Sequence, residues 1–355
     1  MNKPATQHHL FTSKVLDWFQ THGRKDLPWQ QNPTPYRVWV SEIMLQQTQV
    51  NTVIPYYQRF MERFPSIETL AQATPDVVLH HWTGLGYYAR ARNLHQAARQ
   101  LVADHNGIIP NNVDQLSELP GIGRSTAGAI VALAHHQPAT ILDGNVKRVL
   151  TRCFAVSGWP EQSKVKKQLW ELAEALTPHK NTNVYTQAIM DLGATVCTRS
   201  KPDCPACPVT AQCLALKSHS ISHYPGRKPA KALPVKATVM HMLHNCHNQV
   251  LLEKRPPSGI WGGLWSFPET PNPEEFPAAI VCARELNQSQ RWPTLRHTFS
   301  HYHLDIMPIH QQVDELSDKV MESDRWLWYP LDQPVEVGLA APVKQLLQRL
   351  AQAVR

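Results

Sequence analysis

Long hydrophobic runs are missing from this chain. None approaches the ~18 apolar residues that a membrane-spanning helix needs, so no segment is expected to cross a bilayer. The first residues, MNKPATQHHLF, lack a basic stretch followed by an apolar core, so no secretory signal is expected. A reducing compartment, the bacterial cytoplasm, follows as the expected location. Internal repeats and low-complexity tracts are also missing. Charge of one sign is only mildly in excess: 35 Lys and Arg against 28 Asp and Glu give +7, which permits a polyanionic partner without demanding one. What remains is a 355-residue chain, 42% apolar, with enough core-forming material for two domains of ordinary size.

Cysteine is scarce as well, at seven residues, yet four of the seven fall in VCTRSKPDCPACPVTAQC, residues 196–213. In a reducing compartment clustered cysteines are metal ligands more often than disulfides. Cys197, Cys204, Cys207 and Cys213 are spaced C-x6-C-x2-C-x5-C. Zinc sites usually offer two close pairs, whereas one C-x-x-C between two single cysteines can wrap a cubane through four thiolates. Spacing therefore favours iron–sulfur over zinc and leaves both open. Pro202, Pro205 and Pro208 stiffen the loop and lower the entropy lost on closing it. Arg199 and Lys201, held toward solvent by such a loop, suit phosphate contact. Cys153, Cys246 and Cys282 stand apart and read as buried small apolar residues.

The apolar period changes along the chain. Val50, Val53, Ile54, Tyr57, Phe60, Met61 and Phe64 form a helical stripe closed by Pro65, and Leu94 to Val102 form another that ends near Gly107. Thr34-Pro35 and Thr74-Pro75 each place a capping hydroxyl before a proline suited to the first helical turn. Residues 1–223 are thus expected to be α-helical. YPGRKPAKALP, residues 224–234, reads as a linker. Beyond it, Thr238–Leu243 and Gln249–Lys254 look like two strands around a polar turn. Tyr302, Leu304 and Ile306 alternate with polar neighbours, and residues 342–354 suggest a closing helix. Residues 235–355 are expected to be α+β.

Residues 119–130, LPGIGRSTAGAI, set two glycines around an isoleucine between helical segments. Such a helix–hairpin–helix lets backbone approach closely and turns the N–H groups of the following helix toward an anion. Gly121 and Gly123 would then contact DNA phosphate without reading sequence. In ILDGNVKRVL, residues 141–150, Asp143 stands before a helix running from about Asn145, where a carboxylate commonly serves only as a cap.

Hairpin, LDGNVKRVL and four-cysteine loop, in that order, resemble the helix–hairpin–helix DNA glycosylases that carry an iron–sulfur cluster. The endonuclease III branch has a Schiff-base lysine after the hairpin arginine; here that position is Ser125. SEIMLQQTQV (41–50), GLGYYARARNL (84–94) and TFSHYHLDI (298–306) instead resemble the adenine-specific branch. The resemblance implies a monofunctional N-glycosylase that removes adenine opposite 8-oxoguanine or guanine in double-stranded DNA and leaves an abasic site. It also implies one [4Fe-4S] cluster on the four cysteines, a monomer, and a Nudix-like second domain that recognises 8-oxoguanine. ARELNQSQ, residues 283–290, is at best a remnant of the Nudix metal-binding box, so nucleotide hydrolysis is not expected.

Cleaving an N-glycosidic bond requires a protonated leaving group and a stabilised oxocarbenium-like sugar, work suited to two carboxyls in different protonation states. Glu42, among apolar helix neighbours, is expected to stay protonated as general acid, while Asp143, near a helix start that lowers its pKa, carries the negative charge. Asn145 would orient Asp143 or water, or cap the helix. The adenine must leave the stack. By the resemblance Tyr87 or Tyr88 would then insert, Tyr87 being the family's wedge beside 8-oxoguanine. Gln47 would contact the bases near it, and Gln46 shares the face of Glu42 one turn on. Ser125 would contact the adenine pocket or the backbone. Phe299, Ser300 and His301 are the implied 8-oxoguanine readers, on a strand whose faces alternate.

Overall fold

The computed structural model describes residues 3–228, 232–275, 289–313 and 324–354. Cys282 and residues 283–288 of the expected Nudix remnant lie outside them. The described part has two compact units: residues 1–71 with 96–229, and residues 72–95 with 230–355. Among the described residues no helix is long and apolar enough to cross a membrane.

The first unit is helical. α1 (Lys3–His22) packs on α10 (Ser163–Leu176) and α11 (Thr182–Asp191), and α2 (Pro35–Leu45) packs on α8 (Arg124–His135). The start of α2 follows from local chemistry: Thr34 Oγ1 accepts from Arg37 N at 3.2 Å, and Pro35 occupies the first position. Trp39, Val40, Ile43 and Met44 are then fully enclosed, so α2 runs through the core with little solvent face. α3 (Val50–Arg63) carries the apolar stripe read from the sequence and buries Val53, Tyr57 and Phe60. α9 (Gly144–Cys153) seats Val146, Val149 and Leu150 in a core shared with Phe11, Val15 and Leu169.

The second unit holds α5 (Pro75–Trp82), which Thr74 caps on Val77 N, and a mixed sheet. β1 (Val235–His244) and β2 (Gln249–Lys254) form the expected antiparallel pair around the 245–248 turn. β1 also pairs in parallel with β7 (His303–Gln312) over its whole length. β8 (Trp326–Pro330) flanks β2, and β6 (Leu295–Thr298) pairs antiparallel with β7. The helix Ala341–Ala353 closes the chain with Val343, Leu346, Leu347 and Leu350 buried.

Three expectations need correction. Residues 299–302 are not strand: they form the turn between β6 and β7, closed by Phe299 N donating to Tyr302 O at 2.9 Å. Face alternation therefore does not govern Phe299, Ser300 and His301. Cys246 is exposed in the polar turn after β1 rather than buried. Helix α9 is capped by Asp143, so Asn145 lies inside its first turn and is not the cap.

Candidate active site

In the helical unit, residues from distant parts of the chain enclose a cavity of about 530 Å³, within the range of ligand pockets. Glu42 comes from α2, Ser125 and Thr126 from the start of α8, Asp143 and Asn145 from the start of α9, and Gln46 from the end of α2. Leu27, Trp29, Leu45 and Met190 supply apolar wall. Arg24, Arg148 and Arg199 bring cations to the same space.

Burial pushes the Glu42 carboxyl up to about 8, and the neighbouring Asp143 charge adds to the shift. Asp143 is held differently. Its Oδ1 accepts from Val146 N at 2.7 Å, as an N-cap does, and its Oδ2 accepts from Asn145 Nδ2 at 3.0 Å. Burial nevertheless outweighs these bonds and the Arg148 charge, so its pKa is raised rather than lowered as the helix start alone suggested. Two carboxyls thus share one cavity with unequal support, and the less supported one takes the first proton.

A hydrogen-bonded series leads away from Asp143. Arg148 Nη2 donates to Asn145 Oδ1 at 2.7 Å, and Arg148 Nε donates to Cys197 O at 2.7 Å. Five residues, Leu192–Val196, form one π-helical turn after α11, and Gly193 O accepts from the same guanidinium. On the following turn of α9, Arg152 donates to Thr198 O at 2.7 Å and to Cys197 Sγ at 3.3 Å. Cys197, Cys204, Cys207 and Cys213 line one apolar pocket with Val149, Val196, Val209 and Leu216. Cys153 lines it too, a fifth thiol that the spacing did not reveal.

The remaining candidates divide. Ser125 faces the cavity, where its Oγ accepts from Leu142 N at 2.9 Å. Gln46 lines it and donates to Thr126 Oγ1 at 3.3 Å, whereas Gln47 is exposed with φ 57° and is not among the lining residues. Arg199 lines the cavity; Lys201 is exposed on the cysteine loop and does not. Gly121 has φ 78°, which favours glycine, and Gly123 caps α8 with open space where a side chain would stand.

In the second unit, Tyr87 is 51% exposed on a backbone with φ 48°, and Arg90 lies over its ring. Tyr88 is buried instead, and its hydroxyl donates to Leu339 O at 3.0 Å. It is a structural tyrosine, which leaves Tyr87 as the wedge candidate. Ser300 and His301 are exposed at the 299–302 turn while Phe299 is half-buried.

Sequence reasoning missed Arg24, Leu27, Trp29, Arg148, Gln187 and Met190. Arg24 donates through its backbone N at 2.8 Å and its guanidinium at 2.5 Å to the buried Asp191, 167 positions away. No local pattern marks such a pair.

Residues 40–175 match the HhH-GPD superfamily of base excision DNA repair proteins, and residues 239–349 match the NUDIX domain. An adenine DNA glycosylase of Buchnera aphidicola subsp. Acyrthosiphon pisum (strain APS) is 40% identical over 344 residues, covering 96% of this chain and 97% of the relative. The adenine DNA glycosylase of Homo sapiens is 36% identical over 360 residues, covering 83% of this chain and 65% of the relative. Among solved structures, a thermostable thymine-DNA glycosylase superposes with a TM-score of 0.55 at 29% identity over 60% of this chain and 98% of that one. With identity to its relatives spread over nearly its whole length, the chain belongs to the adenine DNA glycosylases of base excision repair.

Proposed function

We propose that the enzyme releases adenine paired with 8-oxoguanine, or with guanine, and leaves an abasic site without cutting the strand. The observation that carries the chemistry is the pair of carboxyls facing one cavity, Glu42 raised to about 8 and Asp143 held by Val146 N and Asn145 Nδ2. At neutral pH Glu42 keeps its proton and gives it to the departing adenine as the C1′–N9 bond breaks. Asp143 keeps its charge and faces the cationic sugar. Water then adds to C1′ and returns a proton to Glu42. Asn145 orients Asp143. Leu27, Trp29 and Met190 shield the extruded base from solvent.

Monofunctional chemistry is supported by the lining: among the described residues no lysine faces the cavity, and Ser125 stands where a Schiff-base lysine would be required. The α7–α8 hairpin, with α7 at Val113–Glu118, would hold DNA phosphate through Gly121 and Gly123, with Arg199 and Lys201 on the same backbone and Gln47 at the bases near the wedge. Tyr87 inserts into the stack beside 8-oxoguanine, and Phe299, Ser300 and His301 read that purine.

One [4Fe-4S] cluster on Cys197, Cys204, Cys207 and Cys213 fits these residues better than zinc. One C-x-x-C between two single cysteines is the spacing that favours a cubane over the two close pairs of a zinc site. The apolar walls and the Arg152 guanidinium at Cys197 Sγ suit a thiolate-ligated group of net negative charge. Its contribution would be structural, holding the basic loop against DNA.

The test compares wild type with Glu42→Gln on duplexes holding adenine opposite 8-oxoguanine or guanine, with and without alkali. Alkali-dependent cleavage by wild type alone, with both proteins binding, is the expected result. Cleavage without alkali would sink the monofunctional reading, and equal activity of the two proteins would sink the role of Glu42.

A further inference from the structure

The segment RPPSGIWGGL, residues 255–264, follows β2 and takes no part in the chemistry or the base reading assigned above. Its Trp261 has φ 55°, a left-handed backbone that bulky side chains avoid. Such a conformation persists only where the surroundings over-determine it. Here Arg255 N donates to Leu264 O at 2.9 Å, Gly263 N to Pro256 O at 3.0 Å and Leu264 N to Trp261 O at 2.9 Å. The Arg255 guanidinium donates to Ile260 O and lies 5.7 Å from the Trp261 ring. A side chain at Gly262 would meet Pro257 O at 2.5 Å, so the backbone folds tightly on itself.

The indole held in this way, 8% exposed, lies under the reader turn. Its ring centroid is 5.2 Å from Phe299 and 5.4 Å from His297, and Phe299 is itself 4.6 Å from His297 and 4.8 Å from Tyr302. On its other side, Arg92 Nη1 donates to Gly262 O at 2.7 Å. Arg92 stands in the first turn of α6 (Ala89–His105), which begins two residues after Tyr87, and the Tyr87 carbonyl accepts from Arg90 N at 2.9 Å. Arg92, Gly262, Trp261 and Phe299 therefore follow one another through short contacts, and Arg92 N donates at 3.1 Å to the carbonyl of Tyr88, the residue next to Tyr87, inside a single compact unit.

We propose that Trp261, braced by Arg92, is the positioning residue that sets the reader turn at a fixed separation from the Tyr87 wedge. It acts through Phe299 and touches no DNA base itself. The inference rests on the reading of residues 299–301 as the 8-oxoguanine reader. Its consequence is a matched pair of probes: the wedge marks the extrusion point, and the reader finds the oxidised purine only at that spacing.

The experiment is single-turnover adenine release from A:8-oxoguanine and A:guanine duplexes by the full chain. It uses wild type, Trp261→Ala, Trp261→Phe, Arg92→Ala, Arg92→Lys, the Trp261→Ala/Arg92→Ala double variant and Ser300→Ala, with thermal unfolding of each protein. Trp261→Ala and Arg92→Ala should each lower the preference for 8-oxoguanine about tenfold, with the rate on A:guanine kept within about twofold. Trp261→Phe and Arg92→Lys should restore most of that preference. Because both residues act on one element, the double alanine variant should lose no more than either single one. A role in core packing alone would slow both substrates together and would overturn the proposal. If Ser300→Ala loses the preference while Trp261→Ala and Arg92→Ala keep it, positioning is overturned and the reader stands. If wild type itself shows no preference, the reader assignment falls and this inference falls with it.

Discussion

Glu42 and Asp143 sit at helix ends that draw them inward against apolar walls, whereas Tyr87, Ser300 and His301 stand on turns that push them out into solvent. The helical unit uses burial as a chemical instrument, because only a desolvated carboxyl keeps a proton at neutral pH. The sheet-containing unit uses backbone constraint, because an exposed side chain needs a fixed perch rather than an altered pKa. Residues of the first kind should govern rate on any substrate, and residues of the second should govern choice among substrates.

Substitutions can break that division or sharpen it. Glu42→Gln should lower adenine release about 10³-fold on both mispairs, because it removes the proton donor, and gel-shift binding should persist. A loss confined to one mispair would break the division. In wild type, release should fall as pH rises through about 8, the Glu42 value, and a flat profile would count against Glu42 as acid. Stability carries the same signature. The folded carboxyl titrates above its ordinary 4.5, so the native state binds more protons than the unfolded chain between 4.5 and about 8. Stability is therefore lost as pH rises across that window, and the melting temperature of Glu42→Gln should gain on wild type over the same range.

Arg24→Ala would leave the buried Asp191 without its cation and should lower unfolding stability by about 3 kcal/mol, read by denaturant titration. Both mispairs should suffer alike. Cys204→Ser should abolish the brown absorbance of the purified protein and weaken DNA binding about tenfold; loss of colour with unchanged binding would refute the structural role of the loop. Ser300→Ala should cost about 1 kcal/mol of selectivity, seen as an approximately fivefold smaller 8-oxoguanine preference with the A:guanine rate retained.

What could be read from the sequence was local. Thr34-Pro35 and Thr74-Pro75 announce helix starts because a cap satisfies donors three residues away, within sight of a short window. Glu42 and Asp143 were visible through their motifs, but a helix cap and the catalytic carboxylate proposed for Asp143 look identical in sequence. Arg24 and Asp191 were invisible because their pairing is made by tertiary packing across 167 positions. The upward shift of Asp143 was misjudged for a related reason: the helix start is local, whereas the burial that outweighs it depends on walls supplied by other elements. The alternation at 301–306 suggested a strand reaching back through residue 299, yet residues 299–302 form a turn, because Phe299 N bonds Tyr302 O between β6 and β7.

Gly193 carries a consequence for substitution. A methyl group at this position would meet Asn145 Cβ at 2.6 Å and Asn145 O at 2.9 Å, at the start of the helix that presents Asp143. The glycine bears no functional group and lines neither the cavity nor the cysteine pocket, so a survey of chemically active side chains would pass over it. A missense change there would nonetheless displace Asn145, the partner of Asp143, from a codon that encodes no side chain at all.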